Sequence, residues 1–190
     1  GLFTSPGGTR VRLVDLPGTY SLRARSPDEA VTRDVVLGRM ADEAIPDAIL
    51  CVADATNLTL NLRLVLELKR LGVPMILALN MMDEAEKLGM AVDAPELSAA
   101  LGMPVVPTVA IRTGGVQGLL DQIDRSLPVA EAEGLVPHQG RCAWTEPSSN
   151  ELRGYHREVE TILALAIRSP ARPHLATQRL DRVLLHPAAG

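Results

Sequence analysis

Aromatic side chains make up only 2% of this 190-residue chain, so any core must be filled by Leu, Val, Ile and Ala. Two cysteines, Cys51 and Cys142, are too few and too far apart for a disulfide scaffold or a Cys/His zinc site. Cys51 lies within the apolar run 48–53 and is expected to be a reduced core residue. No apolar run approaches the roughly 20 residues needed to span a bilayer, and no leader-like segment is visible, so a soluble chain is expected. Basic residues are not in excess: the net charge is −4 and the pI about 5.6, which argues against a nucleic-acid surface. One further absence concerns phosphate chemistry. The glycine-rich loop G-x-x-x-x-G-K-[ST], whose N–H groups and Lys cradle phosphates, occurs nowhere, since neither Gly7-Gly8 nor Gly114-Gly115 is followed by Lys.

The 46% hydrophobic content is ample for a core, and strand-like runs alternate with helical patterns. That order predicts an α/β fold with a mainly parallel sheet. Val11, Leu13 and Val14 are expected to form a strand that delivers Asp15 to its C-terminal tip. Phe3, Thr4 and Ser5, followed by Pro6-Gly7-Gly8, read as its partner and a hairpin turn. Residues 49–52, 75–79 and 104–107 are nearly continuous apolar runs, as parallel strands buried on both faces should be.

Ser26-Pro27-Asp28-Glu29 combines a Ser cap, Pro at the first helical position and Glu three residues after the cap, predicting a helix from 27 toward 40. Leu58, Leu62, Val65 and Leu66 form one face of a second helix, ended by Gly72 and Pro74. Val116, Leu119, Leu120, Ile123 and Leu127 form a third stripe. From 128 to 147 the sequence loses periodicity and reads as a linker. Ser148 to Glu151 resembles a capping box. Leu152, Tyr155, Val159, Ile162, Leu163, Ala166 and Ile167 then share a helical face. A shorter helix is expected near Thr177, carrying Leu180, Val183 and Leu184. The expected division is an α/β part over residues 1–128, a linker over 129–147 and a helical part over 148–190.

Two polar elements end apolar runs. In Asp15-Leu16-Pro17-Gly18, a carboxylate could hold the water shell of Mg²⁺, and three residues later Gly18 lets a backbone N–H approach a phosphate unobstructed. Asp and Gly are also ordinary turn residues, so this element alone is weak. Asn80-Met81-Met82-Asp83 adds specificity. An ionised Asp only accepts, so Asp83 could take the ring N–H and exocyclic amine of guanine as a bidentate pair. Adenine lacks that donor pair. Asn80 could tie the base loop to neighbouring backbone, and Met81 could cover the base. A third element, Val109-Ala110-Ile111, could present a backbone N–H to the guanine carbonyl. All three are placed at strand ends, where doubly wound sheets bind ligands. An ATPase or response-regulator-like domain would leave Asn80 to Asp83 without a task.

Taken together, the residues from Leu13 through Leu22, Ser26 through Ala30, Asp54 through Leu58 and Leu79 through Asp83 resemble the bacterial ferrous-iron transporter B family. The Met-Met within the base element is typical of it, and Leu180 through Pro187 is similar to its segment before the first membrane helix. The resemblance implies a P-loop GTPase-type sheet lacking its first strand and phosphate loop, hence an N-terminally truncated chain, with a small C-terminal all-α appendage. It also implies a G domain and a helical spacer fused to a polytopic membrane part that moves Fe²⁺, on the cytoplasmic face of the bacterial inner membrane.

Carried onto this chain, Asp15 would serve Mg²⁺ through water and Gly18 the γ-phosphate, with Leu16 and Pro17 between them. Asn80, Met81, Asp83, Val109, Ala110 and Ile111 would line the guanine of GTP or GDP. Thr19 stands where many regulatory GTPases place a water-orienting Gln, so no catalytic residue is identified. The implied partners are the guanine nucleotide and the membrane part. A homo-oligomer is allowed but not specified, and no nucleic-acid partner is expected. The parent would be a GTPase and this stretch inactive alone; the alternative is an inert scaffold or interaction module. His138, His156, His174 and His186 lack metal-ligand spacing, and Trp144 is a candidate anchor for the helical part. The absent strand should interrupt the sheet.

Overall fold

The computed structural model describes residues 1–126 and 144–168. Leu127, Pro128, residues 129–143 of the expected linker, the helix expected near Thr177, the segment Leu180 to Pro187, and Cys142, His138, His174 and His186 lie outside the described residues.

The chain opens with a hairpin of β1 (Leu2–Thr4) and β2 (Arg10–Arg12), paired antiparallel with Phe3 opposite Val11. Its turn is closed by Ser5, whose carbonyl accepts from the Gly8 N–H and whose hydroxyl accepts from the Thr9 N–H. The expected strand through Val14 is corrected here: β2 ends at Arg12, and Asp15 sits in a loop rather than at a strand tip. The Leu13 N–H still reaches the Gly1 carbonyl. Both Leu13 and Val14 are largely exposed.

Helix α1 (Pro27–Val36) starts as anticipated, with the Ser26 hydroxyl accepting from the Glu29 N–H and Pro27 in the first turn. It stops at Leu37, before the expected Met40, because Gly38 adopts a left-handed φ of 64°. The parallel sheet comprises β3 (Ile49–Asp54), β4 (Met75–Asn80) and β6 (Val105–Pro107), in the order β3-β4-β6. Between them run α2 (Leu58–Lys69), then α3 (Met82–Lys87), β5 (Ala91–Val92) and α4 (Ala94–Leu101), with α5 (Gln117–Ser126) after β6. The hairpin and this sheet are separate, as the expected interruption requires.

Only β4 is buried along both faces, from Met75 to Leu79. In β3, Ile49, Cys51 and Ala53 face the core, while Val52 is 60% exposed. The reading of all three runs as doubly buried strands therefore holds only for the central one. An edge strand has no neighbour beyond it, and β3 has an uncovered face. Burial in this setting pushes the Cys51 thiol up to about 11.

The expected helical part contributes α6 (Ser149–Ala166), opened by a full capping box between Ser148 and Glu151. Tyr155, Val159, Ile162 and Ala166 are buried and join the same core as the sheet, packing against α2 and α4. Arg70, capping α2, donates to the Tyr155 hydroxyl at 2.7 Å and to Glu151 at 3.2 Å. Beyond α6, β7 (Ile167–Arg168) pairs antiparallel with β5. Trp144 is partly buried against the core.

Because α6 completes a core rather than riding on it, Ile162→Ala should cost about 2–5 kcal/mol in urea unfolding of the chain. Emission of Trp144, the single tryptophan, and far-ultraviolet circular dichroism should report one common transition. Two separated transitions would show that α6 unfolds on its own.

Candidate functional site

Parallel register aligns the carboxyl ends of the strands. Asp54 of β3 lies opposite Asn80 of β4, and the Thr108 N–H, one residue past β6, donates to the Leu79 carbonyl at 2.8 Å. Each chain leaves the sheet at this edge into a loop, which is where open parallel sheets gather binding groups.

Asn80 is the hub of that edge. Its side-chain oxygen accepts from the Ala110 N–H at 3.1 Å and from the Thr108 hydroxyl at 3.4 Å, while its carbonyl accepts from the Ala55 N–H at 2.9 Å. Asn80, Ala110 and the Asp54 loop are thereby brought together. Thr108 is 4% exposed and was not singled out from sequence, although a hydroxyl directly after a strand ending in Pro107 was a readable signal. Asp54 was likewise quoted only for resemblance. Its carboxylate holds the Thr56 N–H at 2.8 Å and the Thr56 hydroxyl at 2.7 Å, closing the β3 loop on itself.

Met81 follows with φ 62° and ψ 31°, the only non-glycine at positive φ among the described residues. This left-handed step costs on the order of 1–3 kcal/mol, and it turns the chain from β4 directly into α3. Asp83 falls in the first turn of α3. Its side chain is only 11% exposed, and a carboxylate oxygen lies 3.3 Å from the exposed guanidinium of Arg112. Arg112 is a second residue that the sequence reading passed over; its place four residues after Thr108 marks the loop but not the ion pair.

The loop 109–115 that carries Ala110 is tight. The Val109 N–H donates to the Gly115 carbonyl, the Arg112 N–H to the Val109 carbonyl, and the Gly115 N–H to the Arg112 carbonyl. A Cβ on Gly115 would lie 2.0 Å from the Val109 carbonyl oxygen, so only glycine fits there. Val109 is partly buried, Ala110 is exposed, and Ile111 is 91% exposed.

The first element lies elsewhere. Asp15, Pro17 and Gly18 are exposed, Leu16 is partly buried against the core, and no side chain approaches within 4 Å of where a Gly18 Cβ would be. The Pro17 carbonyl accepts from the Thr32 hydroxyl of α1 at 2.6 Å. Among the described residues no hydrogen bond or ion pair joins 15–18 to 80–83. The only described histidine, His156, is exposed and 3.4 Å from Glu160. No group of three or more His, Cys, Asp or Glu could hold a metal ion among the described residues, and no helix there is long and apolar enough to cross a membrane.

The chain is similar to known proteins. The family model described as ferrous iron transport protein B matches residues 2–123. A fusion of Fe(2+) transport protein A with Fe(2+) transporter FeoB from Porphyromonas gingivalis is 38% identical over 181 residues, covering 95% of this chain and 20% of that protein. The Fe(2+) transporter FeoB of Salmonella typhimurium is 47% identical over 120 residues, covering 61% of this chain and 15% of the transporter. The chain thus spans a fifth or less of these relatives. Among solved structures, the cytosolic domain of T. maritima FeoB in its GMPPNP form superposes with a TM-score of 0.66 at 27% identity, covering 89% of this chain and 84% of that one. The FeoB G-domain of Methanococcus jannaschii gives 0.60 at 39% identity, covering 66% and 77%.

The Asn80 contact makes a measurable claim about the loop. Asn80→Ala should speed hydrogen exchange at the Ala110 amide by about 2- to 10-fold, the worth of one ordinary hydrogen bond, while β4 amides stay protected. An unchanged Ala110 rate would mean that the loop holds itself without Asn80.

Proposed function

Because the chain belongs to the ferrous iron transport protein B family, we propose that it is the guanine-reading portion of a GTP-binding domain in a bacterial Fe²⁺ transporter. The observation that carries this reading is the closure of Asn80 onto the Ala110 N–H beside the nearly enclosed Asp83 carboxylate. That arrangement offers a base two complementary edges. The Asp83 carboxylate accepts from the ring N–H and exocyclic amine of guanine. Of the 109–111 backbone donors, the Val109 and Ala110 N–H groups already serve Gly115 and Asn80, so the Ile111 N–H would be the one to meet the guanine carbonyl, and Met81 supplies an apolar cover. Relatives crystallised in GMPPNP and GDP forms support a guanine nucleotide as the ligand.

The donor set fits guanine and stops there. Asp15 is a single exposed carboxylate, suited to the outer water shell of a Mg²⁺ held chiefly by phosphates. Gly18, with open space around it, would face the γ-phosphate. No phosphate loop stands among the 190 residues, so GTP hydrolysis is assigned to the full-length transporter, and no step through the metal is derived. In that protein the domain would lie on the cytoplasmic side of the membrane, joined through the helical part that begins with α6. The division into an α/β part to about residue 128 and a helical part from 148 belongs to the same proposal.

Asp83→Ala in the full-length transporter should weaken GTP binding by about 10- to 100-fold and erase the preference over ATP, as read by calorimetric titration. A retained preference for guanine would place the base site elsewhere.

A further inference from the structure

Glu67, on α2, is the one acidic side chain among the described residues that is wholly enclosed, at 0% exposure. A buried carboxylate is costly unless it is paired and hydrogen-bonded, so its partners define its purpose. Both carboxylate oxygens lie 3.1 Å from the Ser21 hydroxyl; one accepts from the Leu22 N–H at 2.8 Å, and the other from Arg63 Nε at 3.2 Å. Arg63 is one turn back on the same helix and half exposed. The other two contacts run to the segment that leaves Gly18.

That segment is also stitched internally. The Thr19 hydroxyl donates to the Ser21 carbonyl at 2.7 Å, the Arg23 N–H donates to the Ser21 hydroxyl at 3.1 Å, and Leu22 is 1% exposed in the core. On the other side of Gly18, the Pro17 carbonyl is held by Thr32. Gly18 is therefore suspended between two fixed points, Pro17 on α1 and the Ser21-Leu22 pair on α2, with only Thr19 and Tyr20 between Gly18 and the second anchor. Tyr20 is 61% exposed and lends the span no packing. Loss of the Glu67 anchor would free the chain from Gly18 onward while leaving the base-reading edge at Asn80 and Asp83 untouched, since neither shares a partner with Glu67.

The geometry points to Glu67 as a positioning residue for the Gly18 backbone: it fixes the span 18–22 to α2, so that the Gly18 N–H is presented to a phosphoryl group at a set place. This inference rests on the proposed nucleotide reading. Glu67 does not touch nucleotide; it acts through Ser21 and Leu22.

The test measures GTP hydrolysis and GDP affinity in the full-length transporter carrying Glu67→Leu, Glu67→Gln or Ser21→Ala. Leu fills the space but accepts nothing. Gln still offers an oxygen to the Leu22 N–H. Ser21 is small and only partly buried, which makes Ser21→Ala the variant least able to disturb the fold, so it decides the matter if Glu67→Leu does not fold. The expected result is a fall in kcat of about tenfold for Glu67→Leu and Ser21→Ala, GDP affinity within about twofold of wild type, and substantial recovery of kcat in Glu67→Gln. A kcat within about twofold of wild type in Ser21→Ala overturns the inference, as does an equal loss of GDP affinity, which would mark Glu67 as a general structural support. A wild-type transporter that binds no guanine nucleotide would sink the functional reading itself, and is told apart because it appears without any substitution.

Discussion

The site depends on the central strand β4 being hydrogen-bonded in parallel on both edges, which sets Asn80 at the rim with its side chain free to bind the next loop. Every residue from Met75 to Leu79 is buried, as befits the central strand of a parallel sheet covered on both faces. From that fixed rim the Asn80 oxygen reaches the Ala110 N–H and its carbonyl reaches Ala55. Two loops separated by more than fifty residues are thus joined through one residue, by its side chain and its main chain. Magnitudes identify what holds the geometry. The left-handed Met81 costs on the order of 1–3 kcal/mol, and one hydrogen bond returns about 0.5–1.5 kcal/mol. The polar contacts therefore orient a turn that the buried strand sustains.

The two halves of the site are supported differently. The half proposed to read the base is built on strand ends and a loop closed by glycine. The Asp15 to Gly18 half is a loop strung between helices, held by Thr32 at one side and Glu67 at the other. Rigid scaffold beneath one half and tethered loop beneath the other suits a ligand whose base stays constant while its phosphate end changes. The Arg112–Asp83 pair belongs to the rigid half and involves an exposed guanidinium, so screening leaves it little energetic weight.

Much of this was legible in the sequence because local rules and burial agreed. The Ser26 and Ser148 caps, the runs feeding β3, β4 and β6, and the stripe of α6 all follow from periodicity and capping chemistry. Helix α4 was missed, although Asp93, Pro95 and Glu96 form a start and Gly102 a stop as clear as those of α1; the surrounding Ala and Leu blurred the period. Strand β2 was extended too far because Leu13 and Val14 look strand-like, whereas both are largely exposed. The start of the short α3 was not legible because it requires Met81 at positive φ, which no propensity anticipates. In the candidate site the residue types at 15–18 and 80–83 were readable, while the contacts of Thr108, Arg112 and Glu67 were not, since each depends on which loops the sheet brings together. Charge pattern alone would have put Glu67 in solvent; only the packing of residues 19–22 over α2 encloses it.

If Asp83 reads the amino edge of guanine, a change of base preference tests that role more sharply than a loss of binding. Replacing Asp83 by Asn substitutes a donor for one acceptor, which suits a base bearing a carbonyl where guanine bears its amine. Titration of full-length Asp83→Asn transporter with GTP and with xanthosine triphosphate is the direct measurement. GTP binding should weaken by about tenfold or more, with a reversal in favour of the xanthine nucleotide. Unchanged GTP affinity with no gain for xanthine would mean that Asp83 does not face the base.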